Sequence, residues 1–231
     1  MQINEIFFAY EGEGKELGIP KVFIRTQGCT VGCKFCDSPQ SLNHTEGKLM
    51  SVEEVLVEIR RFLPYKRVTI TGGSPIEQID LLELVKTLRK ESYFVTLEES
   101  GQVYNKEVFT LCNFLSIDAK SPSSGVSINW DSHNKILQHG NVQIKFVVKN
   151  EDDLVFVNNY YKKFRSLLEE PVLDTHSDKL VITPCWELED EMGEVLERTK
   201  EIQEAIVLLK LPVRVIIQQH KLLYGAIKTG V

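Results

Sequence analysis

Short apolar runs recur along the chain, and longer segments of helical period separate them. Runs of four to seven residues rich in Val, Ile and Phe, as here, are typical of buried strands. The strands predicted in this way occupy residues 21–26, 67–71, 93–98, 114–118, 142–148, 180–183 and 213–217.

Amphipathic segments lie between most of these runs. One opens at Ser51 and Glu54, whose spacing is that of a capping box, and continues with apolar residues on one face. A helix that starts near Asp131 should stop at His139 and Gly140, because Gly commonly ends helices. The other predicted helices span residues 79–89, 150–168 and 192–209.

The alternation of strands and helices predicts the fold class, an α/β fold with a parallel sheet and right-handed crossovers. A closed eight-stranded barrel usually needs about 250 residues, and this chain has 231. We therefore predict a partial (β/α)6-type barrel with N- and C-terminal extensions, formed by a single domain over residues 1–231. Ligands in such folds bind at the carboxyl ends of the strands. The loops to inspect follow Thr26, Thr71, Glu98, Asp118 and Thr183.

Composition and charge narrow the functional classes. The net charge of −6 and the pI near 5.5 disfavour a nucleic-acid partner, since that binding rests on clustered Lys and Arg. No apolar run approaches the about 18 residues of a membrane span, and the N-terminus lacks a signal-peptide pattern. Five cysteines, an odd number, suit metal binding in a reducing compartment better than disulfides. We expect a cytoplasmic protein without a membrane or nucleic-acid partner.

Three of the cysteines, Cys29, Cys33 and Cys36, lie within eight residues just after the first predicted strand. Three thiolates can hold three irons of a [4Fe–4S] cluster, which leaves the fourth iron open to the amino and carboxylate groups of S-adenosylmethionine (SAM). One electron from the cluster then cleaves SAM to methionine and a 5′-deoxyadenosyl radical. The Cys-x3-Cys-x2-Cys spacing, with Phe35 before the last cysteine, resembles the signature of the radical SAM superfamily.

A structural zinc site in a non-catalytic interaction module is the alternative interpretation of these cysteines. Such a site needs four ligands, usually with a second Cys-x2-Cys pair. Cys112 and Cys185 stand in contexts typical of small core residues. His44 could complete a Cys3His site, so the zinc alternative stays open at this point.

A glycine pair follows the second predicted strand. The segment Gly72-Gly73-Ser74-Pro75 presents backbone groups without an obstructing Cβ atom. It resembles the Gly-Gly-Glu-Pro element with which the superfamily binds the amino group of SAM. Ser74 replaces the usual Glu, which removes a charge but keeps a polar acceptor. The same residues also make an ordinary turn, and their position after a strand favours the functional interpretation.

Three segments together resemble one family within this superfamily. Residues 5–14, 22–29 and 36–38 are similar to the 7-carboxy-7-deazaguanine synthase (QueE) family, and the resemblance extends over nearly the whole chain. Members convert 6-carboxy-5,6,7,8-tetrahydropterin to 7-carboxy-7-deazaguanine with loss of ammonia, on the route to queuosine and related 7-deazapurines. They use Mg2+ beside the substrate carboxylate. The resemblance implies a radical SAM lyase with the same cofactors.

The resemblance also implies which residues meet the pterin. Glu11, Gly12 and Glu13 would contact its ring, and Glu11 stands where the family commonly has Gln. Arg25 would clamp the carboxylate, since a guanidinium fork matches a carboxylate, although a surface ion pair is the alternative. Arg25 and Glu13 are thus the candidate catalytic residues. The other implied contacts are Thr71 and the terminal carboxylate of Val231 for the substrate, and Ser38 for Mg2+ or, alternatively, as a loop cap.

A second implied set faces the cluster and SAM. Asp118 could accept from ribose hydroxyls and Lys120 could meet the methionine carboxylate, or the two could form a structural salt bridge. Trp186 could stack on adenine or simply pack. The full set is Phe35, Cys36, Asp37, Gly73, Ser74, Glu99, Ser100, Asp118, Ala119, Lys120, Thr183, Pro184, Cys185 and Trp186.

The expected partners follow from the same resemblance. They are a small pterin substrate, an electron donor such as flavodoxin or ferredoxin, and a second copy of the chain in a homodimer. Gln218 and His220 resemble the family's closing Gln-x-His-Lys. A glycyl-radical-enzyme activase acting on a partner protein shares the cysteine spacing and is the rival enzyme, but it does not need residues 11–13 or Arg25 in this arrangement.

Overall fold

Six strand–helix units arranged side by side form the centre of the molecule in a computed structural model that describes residues 1–168, 179–225 and 230. Each unit pairs one strand with the helix that follows it in the chain, and the strands of all six are parallel. The strands are β1 Gln2–Tyr10, β2 Pro20–Thr26, β3 Lys48–Leu49, β4 Arg67–Gly72, β5 Phe94–Glu99, β6 Phe114–Asp118, β7 Val142–Val148, β8 Leu180–Pro184 and β9 Arg214–Val215.

The helices are α1 Val52–Arg60, α2 Leu81–Lys90, α3 Lys106–Leu111, α4 Trp130–Ile136, α5 Glu151–Leu168, α6 Met192–Leu209 and α7 Gln219–Tyr224. Helices α1 to α6 alternate with the parallel strands, and α7 reaches the cavity at their carboxyl ends. The predicted capping box opens α1, where Ser51 accepts from the backbone of Glu54 and Glu54 accepts from the backbone of Ser51. Among the described residues no helix is both long and apolar enough to cross a membrane.

The strand order is β3-β1-β2-β4-β5-β6-β7-β8-β9. Strands β2 and β4 to β8 with helices α1 to α6 are the six units of the predicted partial (β/α)6 barrel, which the structure confirms. At one edge β1 and β3 extend the sheet in antiparallel pairing, and at the other edge β9 pairs in parallel with β8. Helix α7 follows β9 in the chain.

The two faces of each strand separate the apolar core from the site. On β2, Val22 and Ile24 are fully buried in the core. Phe23 and Arg25 alternate with them, so they point to the other face and line the cavity inside the barrel. The face of β2 that lines the cavity therefore carries Arg25, whose charge the apolar core would not accommodate.

Several boundaries differ from the sequence prediction. Strand β1 was not predicted, because its residues are partly buried on both faces and do not alternate between apolar and polar. The predicted strand 213–217 shortens to Arg214–Val215, and the helix expected to reach His139 ends at Ile136. Predicted strands 114–118 and 142–148 and helix 192–209 have the observed bounds.

Candidate active site

A cavity of about 420 Å³ opens at the carboxyl ends of the parallel strands. It brings together most of the residues singled out in the sequence, although they come from six different strands and the loops that follow them. Those on its wall are Glu11, Gly12, Glu13, Arg25, Cys29, Cys33, Phe35, Cys36, Asp37, Ser38, Thr71, Gly73, Glu99, Ser100, Asp118, Ala119, Lys120, Cys185 and Trp186.

Four predicted site residues are not among the described residues that form this wall. Ser74 is buried beside it, and Thr183 and Pro184 lie within strand β8. The Thr183 hydroxyl is buried without a hydrogen-bond partner. Val231 lies outside the described residues.

The cysteine loop is held in place by the glycine turn after β4. The Ser74 backbone N–H donates to the Gly28 carbonyl over 2.8 Å, and Gly73 N–H donates to the Thr26 carbonyl over 3.1 Å. A Cβ atom at Gly73 would lie 2.2 Å from the Gly28 carbonyl oxygen, so only glycine allows this close approach. The turn thus fixes where the chain enters the loop at Cys29.

The donor set on this loop fits a cubane cluster. Cys29, Cys33 and Cys36 are each half-buried and line one cavity. Burial raises the pKa of all three thiols, so iron ligation, which requires thiolates, must displace their protons. A [4Fe–4S] cluster takes one thiolate on each iron, so three thiolates would hold three irons and leave the fourth open. Within the described residues no group of three His, Cys, Asp or Glu side chains is close enough together to hold a single metal ion.

Both carboxylate oxygens of Glu13 accept a hydrogen bond from a neighbouring side chain. It forms an ion pair with Lys145, and the Gln218 Nε2 donates to its Oε1 over 2.6 Å. Burial opposes its charge, but Lys145 and His220 hold the pKa of Glu13 well below its usual range. The group is therefore ionised and oriented at neutral pH.

Arg25 lines the cavity and donates hydrogen bonds to two neighbouring side chains. Its Nε donates to Glu5 over 2.8 Å, and its Nη1 donates to the Ser38 hydroxyl over 3.1 Å. The guanidinium also stands 5.6 Å from the centre of the Phe7 ring. Arg25 therefore forms the ion pair that was the alternative prediction, and it also lines the cavity.

Glu11 is buried and belongs to a network of charged side chains. The Lys21 ammonium donates to Glu11 over 2.9 Å and to Glu16 over 2.6 Å. Glu16 also accepts from Arg67 and from the hydroxyl of Thr96. Burial and the nearby charge of a second carboxylate raise the pKa of Glu11 to about 7.

The end of β5 contributes two further carboxyl groups. Glu98 accepts from the Thr71 hydroxyl over 2.8 Å. Glu99 accepts from the backbone N–H groups of Ile76 and Ser100 over 2.6 and 2.9 Å. Burial raises the pKa of Glu99 to about 7.

The Asp118–Lys120 salt bridge that was the alternative interpretation is present, with Nζ and Oδ2 2.7 Å apart. Both residues nevertheless line the cavity, and Asp118 raises the pKa of Lys120 against the opposing effect of burial. Trp186 is largely buried at the wall, and its carbonyl accepts from Lys221 over 3.0 Å.

The C-terminal segment closes one side of the cavity, where Gln218, His220 and Lys221 reach the wall. The Gln219 N–H donates to the Gly12 carbonyl over 2.9 Å, which ties this segment to the loop after β1. Sequence reasoning missed Lys145, whereas Glu98 ends a strand that it had singled out. The signal for Lys145 was a charged residue within the apolar strand β7.

The sequence and the fold are similar to those of known proteins. A sequence model of the radical SAM superfamily matches residues 23–129. The chain is 33% identical over 221 residues to the 7-carboxy-7-deazaguanine synthase of Aquifex aeolicus, which covers 95% of this chain and 91% of that protein. It is 30% identical over 226 residues to the enzyme of the same name from Thermoplasma acidophilum, covering 97% and 98%.

Two solved structures share the fold. QueE from Escherichia coli superposes with a TM-score of 0.68 at 23% identity, over 95% of this chain and 94% of that one. SuiB from Streptococcus suis, solved with S-adenosylmethionine bound, gives a TM-score of 0.57 at 12% identity, over 83% and 48%. At these identities the likeness concerns the fold.

Proposed function

The chain belongs to the 7-carboxy-7-deazaguanine synthase family of radical SAM enzymes, and we propose that its cavity carries out the reaction of that family. The reaction converts 6-carboxy-5,6,7,8-tetrahydropterin to 7-carboxy-7-deazaguanine with loss of ammonia. The observation that supports it best is the meeting of two sets of residues in one cavity. The cysteine loop forms one wall, and Glu11, Glu13 and Arg25 form another. The zinc module and the activase are not favoured by these relatives.

The cofactor side of the cavity lies between the cysteine loop and the ends of β4 to β6. Cys29, Cys33 and Cys36 would hold a [4Fe–4S] cluster, which supplies the electron that cleaves SAM to a 5′-deoxyadenosyl radical. Gly73 offers backbone groups at this wall. Asp118 and Lys120, which pair with each other, present a carboxylate and an ammonium to the polar groups of SAM. Glu99, Ser100 and Trp186 complete this side.

The substrate side lies between residues 11–13 and Arg25. Arg25 would take the pterin carboxylate with the part of its guanidinium fork that Glu5 does not occupy. Ser38, which already contacts Arg25, would supply a hydroxyl ligand to Mg2+ beside the same carboxylate. Glu13 would orient the ring, because Lys145 and Gln218 fix its own position. Holding the reacting carbon in place is the main task of these residues, since a bound radical attacks the hydrogen nearest to it.

Further parts of the proposal rest on the family resemblance or on the sequence. An electron donor such as flavodoxin or ferredoxin and a homodimer follow from the resemblance. A cytoplasmic location and a single domain over residues 1–231 are expected from the composition and length of the chain. Sedimentation of the cluster-loaded protein tests the homodimer.

Anaerobic turnover of the reconstituted protein tests the function. The mixture contains SAM, Mg2+, a reductant and 6-carboxytetrahydropterin, and products are identified by mass and ultraviolet spectrum. Formation of 7-carboxy-7-deazaguanine is expected, with a lower rate when Mg2+ is removed by chelation. The result that overturns the proposal is 5′-deoxyadenosine without this product. A colourless protein that holds one zinc ion and no iron would overturn the cofactor assignment.

A further inference from the structure

The turn that follows the glycine pair holds the chain on both sides of Cys29. Before this cysteine, the Gly28 carbonyl accepts from the Ser74 N–H over 2.8 Å. After it, the Thr30 N–H donates to the Oε1 atom of Glu77 over 3.1 Å. Ser74 and Glu77 lie at the two ends of one short helical turn, in which the Glu77 N–H donates to the Ser74 carbonyl over 3.1 Å. One structural element therefore fixes the peptide groups that flank the first cysteine of the loop.

The Glu77 carboxylate makes a second hydrogen bond to the same residue. The Thr30 hydroxyl donates to its Oε1 atom over 2.8 Å. The Oε2 atom lies 3.7 Å from the His44 Nε2, which is longer than a hydrogen bond. Within the described residues no Lys or Arg forms an ion pair with Glu77, whose side chain is 23% exposed. Its negative charge therefore stands beside the cysteine loop without an ammonium or guanidinium partner.

The charge of Glu77 acts on the Cys29 sulfur. Burial is the main cause of the raised pKa of this thiol, and the charge of Glu77 adds to it. The same charge would oppose any further negative charge at this position. Reduction adds one electron to a bound cluster, and nearby charges and hydrogen bonds set its reduction potential. Glu77 therefore has two separable effects on the loop, one through its hydrogen bonds and one through its charge.

We infer that Glu77 is a positioning residue for the cysteine loop and that its charge lowers the reduction potential of the cluster bound there. The inference rests on the proposed function, because it concerns the cluster that this function requires. Glu77 lies outside the wall of the cavity, so it acts through the loop and not on the substrate. Glu77→Gln keeps an oxygen acceptor for Thr30 and removes the charge, whereas Glu77→Ala removes both.

Redox titration of the full-length, anaerobically reconstituted protein without SAM measures the effect of the charge. The readout is the electron paramagnetic resonance signal of the reduced cluster, followed against the solution potential. Glu77→Gln should load as much iron as the wild type and keep the shape of this signal. Loss of a partly exposed charge should make its cluster about threefold easier to reduce, which raises the midpoint potential by about 28 mV.

Salt separates a charge effect from a change in structure. The Debye length is about 30 Å at about 0.01 M salt and about 3 Å at about 1 M. The difference in midpoint potential between Glu77→Gln and the wild type should therefore be largest at the lower concentration and shrink at the higher one.

Iron release to a chelator measures the positioning effect. Glu77→Ala keeps the hydrogen bond between Ser74 and Gly28 but loses both bonds to Thr30, so it should release iron about fivefold faster than the wild type. Glu77→Gln should release iron at the wild-type rate. Glu83→Ala, at an exposed position on α2, is the matched control and should change neither the rate nor the potential.

Two results would overturn the inference. One is a midpoint potential of Glu77→Gln equal to that of the wild type at low salt, and the other is iron release from Glu77→Ala at the rate of the Glu83→Ala control. If Glu77→Ala does not fold, Thr30→Val replaces it, because this variant removes only the hydroxyl donor; iron release at the wild-type rate would then contradict the inference.

Failure of the proposed function has a different signature. A wild-type protein that loads the cluster but forms no 7-carboxy-7-deazaguanine would contradict the function and leave these potentials and release rates as expected. A wild-type protein that binds no iron would overturn both the function and the role of Glu77.

Discussion

Gln218 and Glu13 are 205 residues apart in sequence, yet the Gln218 Nε2 donates to the Glu13 Oε1 over 2.6 Å. Lys145 binds the other oxygen of the same carboxylate from strand β7. The segment before α7 thus completes a site that the barrel strands leave open on one side. Because both carboxylate oxygens are occupied, Glu13 presents a fixed orientation to the cavity.

Removal of the Gln218 amide should loosen Glu13 without removing its charge. A hydrogen bond to a charged group contributes about 1.5–3 kcal/mol, so we expect Gln218→Ala to lower kcat/KM for the pterin about tenfold or more. Cluster content and SAM binding should not change. Gln138→Ala, at an exposed position, is the control. Equal kcat/KM in the two variants would contradict this role of Gln218.

Lys145→Met should destabilise the protein by leaving the buried Glu13 carboxylate without its cation. Breaking a buried pair costs about 3–5 kcal/mol of unfolding free energy. The native pKa of Glu13 lies below its unfolded value of 4.5, so the wild-type stability from this pair is present above pH 4.5 and is lost as the pH falls. The effect of the substitution should accordingly be large at pH 7 and smaller in acid.

Urea unfolding at pH 7 measures this change, and the double variant Lys145→Met with Glu13→Gln supplies the control. It removes both charges and should regain most of the lost stability. If the double variant is as unstable as Lys145→Met, the loss comes from packing and not from the uncompensated charge.

Local sequence signals predicted the strands, the helices and the cysteine loop, but they did not predict which charged residues form ion pairs. The β-branched runs and the Ser51 capping box follow from neighbouring residues, and the cysteine spacing lies within one loop, so each could be predicted. The partnership of Lys145 with Glu13 joins positions 132 residues apart, which no local pattern reports. Strand β1 escaped prediction because both of its faces are partly buried.

Cys33→Ala should abolish the cluster. Its thiol is one of three on the cysteine loop that lines the cavity, and a cubane held by two thiolates would be labile. After anaerobic reconstitution we expect loss of the broad visible absorbance and of most bound iron. Cys112→Ala removes a thiol outside the cavity, where burial raises the thiol pKa to about 12, and should keep both. Equal iron content in the two variants would refute the assignment of Cys33.

Glu99 should make the protein less stable as the pH rises. Its carboxyl group is 6% exposed, and burial raises its pKa from 4.5 to about 7 despite two hydrogen bonds from backbone N–H groups. Between these two values the native state binds more protons than the unfolded state, so the unfolding free energy falls with increasing pH. A shift of this size corresponds to at most about 3 kcal/mol. Glu11 adds a second contribution of the same sign.

Urea unfolding of the full-length protein between pH 5 and pH 8 measures this dependence. In Glu99→Gln the decline should be less steep than in the wild type, because an amide does not titrate. The buried His133, whose pKa is lowered to about 4, acts in the opposite sense below about pH 6.5 and does so equally in both proteins. The Glu83→Gln control should keep the full decline, since Glu83 is exposed on α2. If Glu99→Gln declines as steeply as the wild type, then Glu99 is ionised in the native protein throughout this range, and its burial is offset by the two backbone donors.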